Sequence, residues 1–187
     1  MTEIVSEAKA RLRTQVLSNR SGEVLTDTAN QFAAQLLKLC SQLGAKSVGI
    51  YLSFGSEPVT DAFVVAAKAA GITLSAPRTG PDSSMEFARL EGPGKSSELG
   101  FLQPVGEIVE PDELDLIIAP ALSVDMFGNR LGRGGGFFDR YLEHFDGPVA
   151  AVVYETELVP ELPSEPHDKP VQYAVTASRI QVLTPKQ

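Results

Sequence analysis

A single cysteine, Cys40, leaves the chain no intramolecular disulfide to form. It lies in the apolar run LLKLC, where a buried structural thiol is expected and not a nucleophile. No stretch approaches the roughly 18 consecutive apolar residues of a membrane-spanning helix. The opening residues, MTEIVSEAKARLR, lack the apolar centre of a secretory signal, so a cytoplasmic location and no membrane partner are expected. Basic residues are also scarce, with 16 Lys and Arg against 24 Asp and Glu and a net charge of -8. A nucleic-acid binder needs a dense basic surface, which excludes nucleic acid as the main partner.

What is present fits an ordinary globular protein. The 187 residues, 43% of them hydrophobic, suffice for one sizeable core and are short for two. No repeat, low-complexity tract or linker interrupts them, so residues 1–187 read as a single domain. Apolar residues at Val5, Ala8, Leu12 and Val16 have helical spacing and predict a helix from Val5 to about Asn19. A second helix is expected from Asp27 to Leu43, stopped by Gly44. A third, DAFVVAAKAA, is expected behind a Thr60 cap and ends at Gly71.

Short β-branched runs alternate with these helices at Val48–Leu52, Ile72–Ala76, Leu116–Leu122, Val149–Tyr154 and Tyr173–Ser178. Several are apolar at consecutive positions, as strands buried on both faces are. The order predicts a layered α/β/α fold, a largely parallel central sheet with helices on both faces. The segment 78–113, rich in Gly, Pro, Ser and acids, reads as an insertion of loops with one strand at MEFARL.

After the strand DLIIAP the chain runs through SVDMFGNRLGRGGGFFDRYL, with Gly128, Gly132, Gly134, Gly135 and Gly136 inside nine residues. Glycine permits positive φ and lets backbone N–H groups approach a ligand closely. A helix is expected from about Phe137, so the loop would bring an anion to free N–H groups, with Arg130 and Arg133 as bidentate partners. The pattern is neither a Walker A loop nor a dinucleotide fingerprint. Asp139 can be read as first-turn helix stabilisation or as a magnesium ligand, and its spacing does not separate the two. Lys9 and Arg13, one turn apart with Arg20 on the same face, can be read as a solvated basic edge or as phosphate partners.

The run DLIIAPALSVDMFGNRLGRGGGFFDRYL resembles the signature of the 5-formyltetrahydrofolate cyclo-ligases. The Lys9-to-Arg13 spacing, YLSFGSEPVT, FLQP near Phe101 and Pro166-His167-Asp168 follow in the family's order, so the resemblance spans nearly the whole chain. It implies closure of 5-formyltetrahydrofolate to 5,10-methenyltetrahydrofolate with ATP as co-substrate and Mg2+ as cofactor, by phosphorylation of the formyl oxygen. It assigns Lys9, Ala10, Arg11, Leu12 and Arg13, with Arg130, Leu131, Gly132, Arg133, Gly134, Gly135, Gly136, Phe137 and Phe138, to ATP. Leu52, Glu57, Arg133, Gly134, Gly135, Gly136 and Phe137 are assigned to the folate, Asp139 and Asp168 to magnesium, and catalysis to Arg133 and Lys9. His167 stays outside the catalytic set, and a monomer is expected. Three features depart from the family's pattern: Phe137-Phe138 where tyrosine is usual at one or both positions, Gln103 where Glu is common, and Glu157 where Gln is common. A non-catalytic nucleotide or folate binder is the competing class, as is an ATP-independent sugar-phosphate or CoA-type enzyme.

Overall fold

Apolar runs that are buried on both sides form the middle of the sheet. In the computed structural model, which describes residues 2–22, 28–80, 84–92, 94–96, 102–165 and 168–184, two helices come first, α1 (Thr2–Gly22) and α2 (Ala29–Leu43). Strand β1 (Ser47–Ile50), helix α3 (Asp61–Ala69) and strands β2 (Thr73–Thr79) and β3 (Met85–Arg89) follow. The middle segment adds only two-residue strands, β4 (Lys95–Ser96), β5 (Leu102–Gln103) and β6 (Ile108–Val109). Then come β7 (Leu116–Pro120), β8 (Ser123–Asp125), β9 (Arg130–Leu131), α4 (Phe137–Leu142) and β10 (Val149–Val152). The chain finishes with β11 (Leu158–Val159), β12 (Tyr173–Val175) and β13 (Ile180–Val182).

The main sheet has eight strands in the order β13-β12-β10-β7-β1-β2-β3-β6. From β12 through β10, β7 and β1 to β2 all pairings are parallel. The flanking β13, β3 and β6 pair antiparallel. Side chains alternate across each strand, so consecutive apolar residues serve opposite faces. Leu116 and Ile118 of β7 pack in the cluster containing Phe32 and Leu36 of α2 and Phe63 of α3. Ile117 and Ala119 pack on the other side, with Tyr141 and Leu142 of α4 and with Phe145. The α/β/α layering and the largely parallel sheet are as the sequence predicts.

The boundaries differ in instructive ways. Strands β1, β7, β10 and β12 end two or three residues earlier than their apolar runs, whereas β2 continues three residues beyond its own, and the buried Tyr51, Ala121, Leu122 and Val153 lie just past the strand ends. Helix α2 is described from Ala29, and Asp27 lies outside the described residues. Thr60 precedes α3 but makes no side-chain cap. Its hydroxyl instead donates to the Tyr51 carbonyl at 3.1 Å and accepts from Ser53 N–H at 3.2 Å, which closes the loop after β1. The strands β8, β9 and β11 form a separate small sheet that the sequence did not announce. Each is too short to carry a pattern. Among the described residues no helix is long and apolar enough to cross a membrane.

Helix α1 stands apart from these layers. Leu12, Val16 and Leu17 pack on a small cluster formed by Leu122, Leu131 and Leu162. At the other end of the sheet Phe87 of β3 lies across β1 and contacts Tyr141 edge-on, with ring centroids 5.0 Å apart. A Cβ on Gly49 would sit 2.8 Å from that Phe87 ring, so glycine is required there for lack of space. Gly49→Ala is therefore expected to destabilise the protein by about 1–3 kcal/mol in urea denaturation. Pairing it with Phe87→Leu should recover part of the loss, whereas strict additivity of the two substitutions would contradict the overlap.

Candidate functional site

Loops leaving the C-terminal ends of β1 and β7, with the end of β2 itself, open into a cleft of about 790 Å³, the edge where open α/β sheets take their ligands. Its far walls come from α1 and from the glycine-rich segment between β9 and α4.

The glycine segment is built from below. Asp125 is fully buried, and its Oδ1 accepts Phe127 N–H and Asn129 N–H, each at 2.9 Å. Its Oδ2 accepts Asn129 Nδ2 at 2.7 Å and Leu162 N–H at 2.9 Å. The charge is thus spent on folding the β8–β9 turn. Gly128 belongs to that turn: its φ is +86, and a Cβ there would collide with the Val171 carbonyl. Gly128 does not line the cleft, whereas Gly132, Gly134, Gly135 and Gly136 do. Gly134 and Gly136 hold φ of +101 and +67, the backbone that delivers the chain into α4.

Arg130 and Phe138 anchor the segment to the core. The Arg130 side chain is 4% exposed and donates from Nη1 to the Pro120 carbonyl at 3.2 Å and from Nη2 to Asp139 Oδ1 at 2.7 Å. Its guanidinium lies 5.8 Å from the centre of the Phe138 ring, which itself meets Phe87 edge-on at 6.3 Å. Phe137 carries the Arg140 guanidinium 5.4 Å from its ring centre, and Arg140 Nη2 donates to the Gly135 carbonyl at 3.1 Å. The two aromatics therefore differ, Phe138 tied into the core and Phe137 clasped at the surface of the loop.

Arg133 is 45% exposed, and its Nε donates to Glu57 Oε1 at 2.8 Å. Glu57 is buried, and its Oε2 accepts Phe54 N–H at 3.0 Å, so the loop after β1 is bridged to the glycine segment across the cleft. Leu52 and the exposed Phe54 line the same wall. The adjoining Tyr51 hydroxyl donates to the Pro58 carbonyl at 2.7 Å. Burial, reinforced by the Glu57 charge, pushes that phenol well above its usual range, so it stays protonated.

From α1, Arg13 Nε donates to the Gly132 carbonyl at 2.9 Å. Lys9 is 7% exposed, and its Nζ lies 2.6 and 2.8 Å from the two Asp168 carboxylate oxygens and 3.0 Å from Glu165 Oε2. Asp168 Oδ2 also accepts Glu165 N–H at 2.6 Å, fixing both acids in one turn. No role is assigned to Glu165 from the sequence, where it is one acid among many. Ala10, Arg11 and Leu12 do not line the cleft. Arg11 is exposed beside Glu7 at 3.4 Å, and Leu12 faces the small apolar cluster. Pro166, His167 and Phe101 lie outside the described residues. Gln103 stands one layer behind the wall, donating to Thr79 Oγ1 at 2.8 Å.

Arg20 enters the core further along the same face of α1. Its Nε and Nη2 donate to Glu157 Oε1 and Oε2 at 2.6 and 2.7 Å, and Nη2 also reaches the Ala121 carbonyl at 2.8 Å. Burial works to lower the Arg20 pKa, but the hydrogen bond and charge of Glu157 outweigh it, and the guanidinium is held above its ordinary value. Glu157 is thus a structural partner of α1 and does not line the cleft.

Lys9, Arg13, Arg130, Arg133 and Arg140 share the cleft wall with Glu57, Asp139, Glu143, Glu165 and Asp168, which balances its formal charge. Among the described residues no three His, Cys, Asp or Glu side chains converge closely enough to hold a metal unaided.

Residues 5–177 match the pattern of the 5-formyltetrahydrofolate cyclo-ligase family. The 5-formyltetrahydrofolate cyclo-ligase of Mycolicibacterium smegmatis is 31% identical over 187 residues, covering 92% of this chain and 95% of that one. The enzyme of the same name from Escherichia coli K12 is 28% identical over 164 residues, covering 82% and 90%. The solution structure of Aquifex aeolicus 5,10-methenyltetrahydrofolate synthetase matches with a TM-score of 0.82 at 26% identity, covering 96% of this chain and 94% of that one.

Removing one partner of a buried ion pair leaves the other desolvated and uncompensated. Arg20→Met is accordingly expected to cost about 3–5 kcal/mol in chemical denaturation. Exposed Arg11→Ala should stay within about 0.5 kcal/mol. Similar effects for the two would contradict the anchoring of α1 by Arg20.

Proposed function

This chain belongs to the 5-formyltetrahydrofolate cyclo-ligase family, and we propose that it closes 5-formyltetrahydrofolate to 5,10-methenyltetrahydrofolate with ATP and magnesium, releasing ADP and phosphate. The observation that carries this reading is the meeting, around one cleft, of Lys9 and Arg13 from α1, Arg133 from the glycine segment and Glu57 from the loop after β1. Residues 1–187 act in this reading as one catalytic domain, a cytoplasmic monomer whose partners are ATP and the reduced formyl-folate.

The chemistry asks for positioning and charge. A formamide is a weak electrophile, and its oxygen is a poor leaving group. Transfer of the γ-phosphoryl group to the formyl oxygen corrects both faults. N10 then attacks the activated carbon and gives up its proton, the C–O bond breaks, and phosphate departs with the former formyl oxygen. Phosphoryl transfer needs donors placed where charge gathers. Arg133, the most exposed cation of the segment, donates to the transferring group, while Lys9, Arg13 and the N–H groups of Gly132 to Gly136 hold the phosphate chain. The Glu57 carboxylate accepts from the donor edge of the pterin, and Phe137 offers a face for stacking. Phe137 lacks the phenol of a tyrosine, so it supplies no hydrogen bond there.

Asp139 and Asp168 are hard oxygen donors on the cleft wall, which suits magnesium. Two carboxylates suit an ion that keeps phosphate and water ligands, as magnesium does when bound to a nucleotide. When bound, the metal would neutralise phosphate oxygens.

Protein mixed with 5-formyltetrahydrofolate, ATP and magnesium should develop the near-ultraviolet absorbance of methenyltetrahydrofolate. Absence of product with folate bound would favour a non-catalytic binder, and product without ATP would sink the phosphorylation step. Arg133→Ala should lower kcat by about 10²–10³-fold with an unchanged circular dichroism spectrum. Normal turnover in that variant would remove Arg133 from the chemistry.

A further inference from the structure

We infer that Glu57, beyond the folate contact given to it above, is the positioning residue for Arg133, a role that rests on the ligase reading. Through one bond it aims the two terminal guanidinium nitrogens of Arg133 at the phosphoryl group in transfer.

The backbone around Arg133 gives the side chain no direction of its own. Gly132 precedes it and Gly134 to Gly136 follow, with Gly134 at a φ of +101 that residues with a side chain rarely adopt. The side chain is 45% exposed, and an untethered arginine in such a place samples many rotamers. Two contacts remove that freedom. Arg13 holds the main chain, donating from Nε to the Gly132 carbonyl at 2.9 Å, and its guanidinium carbon would lie 3.6 Å from a Cβ placed on Gly134. Glu57 holds the side chain, accepting from Arg133 Nε at 2.8 Å, while Nη1 and Nη2 make no hydrogen bond among the described residues. The terminal nitrogens form the far edge of the planar guanidinium, so a grip on Nε alone leaves that fork for a phosphate.

Glu57 is a firm point to hold from. Its side chain is 10% exposed, its Oε2 accepts Phe54 N–H at 3.0 Å, and its own N–H donates to the Phe54 carbonyl at 3.3 Å. The next residue, Pro58, accepts the Tyr51 hydroxyl at 2.7 Å. The carboxylate that grips Arg133 therefore also closes the turn that carries it. A carboxylate offers about four acceptor positions, and protein donors occupy one on each oxygen. Pterin donors can pair with Glu57 while Arg133 stays bonded, so one carboxylate fixes the formyl-bearing ring and the guanidinium relative to each other. Misplacing a reacting group by about 1 Å costs about 10²-fold in rate, the scale on which such alignment matters.

The test is a double-mutant cycle on formation of methenyltetrahydrofolate with saturating ATP and magnesium, read separately as kcat and folate KM. Glu57→Gln keeps the size and one acceptor but removes the charge, and should lower kcat about 10-fold while raising the folate KM. Glu57→Ala should lower kcat about 10²-fold. In an Arg133→Ala background the same changes should lower kcat by less than about threefold, because the group they position is gone, yet still raise KM. Guanidinium, added far below denaturing concentrations, supplies a second readout. It should restore part of the Arg133→Ala rate where Glu57 is present to hold it, and none in the double variant with Glu57→Ala. A merely structural role for Glu57 would move stability without making this rescue depend on it.

Additive losses of kcat, guanidinium rescue that does not depend on Glu57, or a Glu57→Gln variant altered in KM alone would overturn the proposal and leave Glu57 a folate contact only. A wild-type protein that forms no methenyltetrahydrofolate would defeat the ligase reading and this proposal together.

Discussion

The Arg20–Glu157 ion pair is the contact on which the cleft depends. Helix α1 buries only a narrow apolar stripe, Leu12, Val16 and Leu17, against a small cluster of leucines. Such an area is modest beside the entropy lost in fixing a helix on a surface. A buried ion pair offsets its own desolvation only when the geometry is excellent. Here two guanidinium nitrogens meet two carboxylate oxygens at 2.6 and 2.7 Å. The same guanidinium reaches the Ala121 carbonyl, directly beyond β7, and lies 5.3 Å from the centre of the Tyr154 ring. One side chain thus ties the helix to the ends of two central strands. Lys9 and Arg13, on the same face, are then presented at the cleft.

That dependence also shows what was legible in the sequence. Consecutive apolar residues in β7 and β10 announced doubly covered strands, because both faces of a parallel central strand need filling. The glycine run stood out because its composition is unusual over a short length. Lys9, Arg13, Leu52, Glu57, Arg133, Asp139 and Asp168 all line one cleft, although they are scattered through the chain. Side-chain pairings were not legible. Glu157 drew notice only as an acid at an unexpected place, yet its partner lies 137 positions away. Glu165 had no signal, since its value comes from Lys9, which the fold brings in from α1. That Phe138 packs into the core while Phe137 is clasped by Arg140 was not legible, because sequence shows neighbours and not the faces of a six-residue helix.

Electrostatics gives the site its character more than shape does. Each cation that faces the cleft and could hold phosphate is bonded to an acid or a carbonyl, so the empty cleft is ordered without being strongly basic. This agrees with the acidic overall composition, which gives little long-range attraction for a bare polyanion. In the proposed reaction, catalysis would draw on groups already oriented by those same bonds. Asp125 and Gly128 complete the picture from beneath, one by satisfying four donors of the β8–β9 turn and its neighbourhood, the other by fitting where no side chain can.

The central claim is that the formyl oxygen itself accepts the phosphoryl group. It is tested most directly with 5-formyltetrahydrofolate carrying oxygen-18 in the formyl group, turned over with unlabelled ATP and magnesium. The account predicts one oxygen-18 atom in each phosphate released, read by mass spectrometry. Unlabelled phosphate, with the heavy oxygen recovered in water, would contradict it.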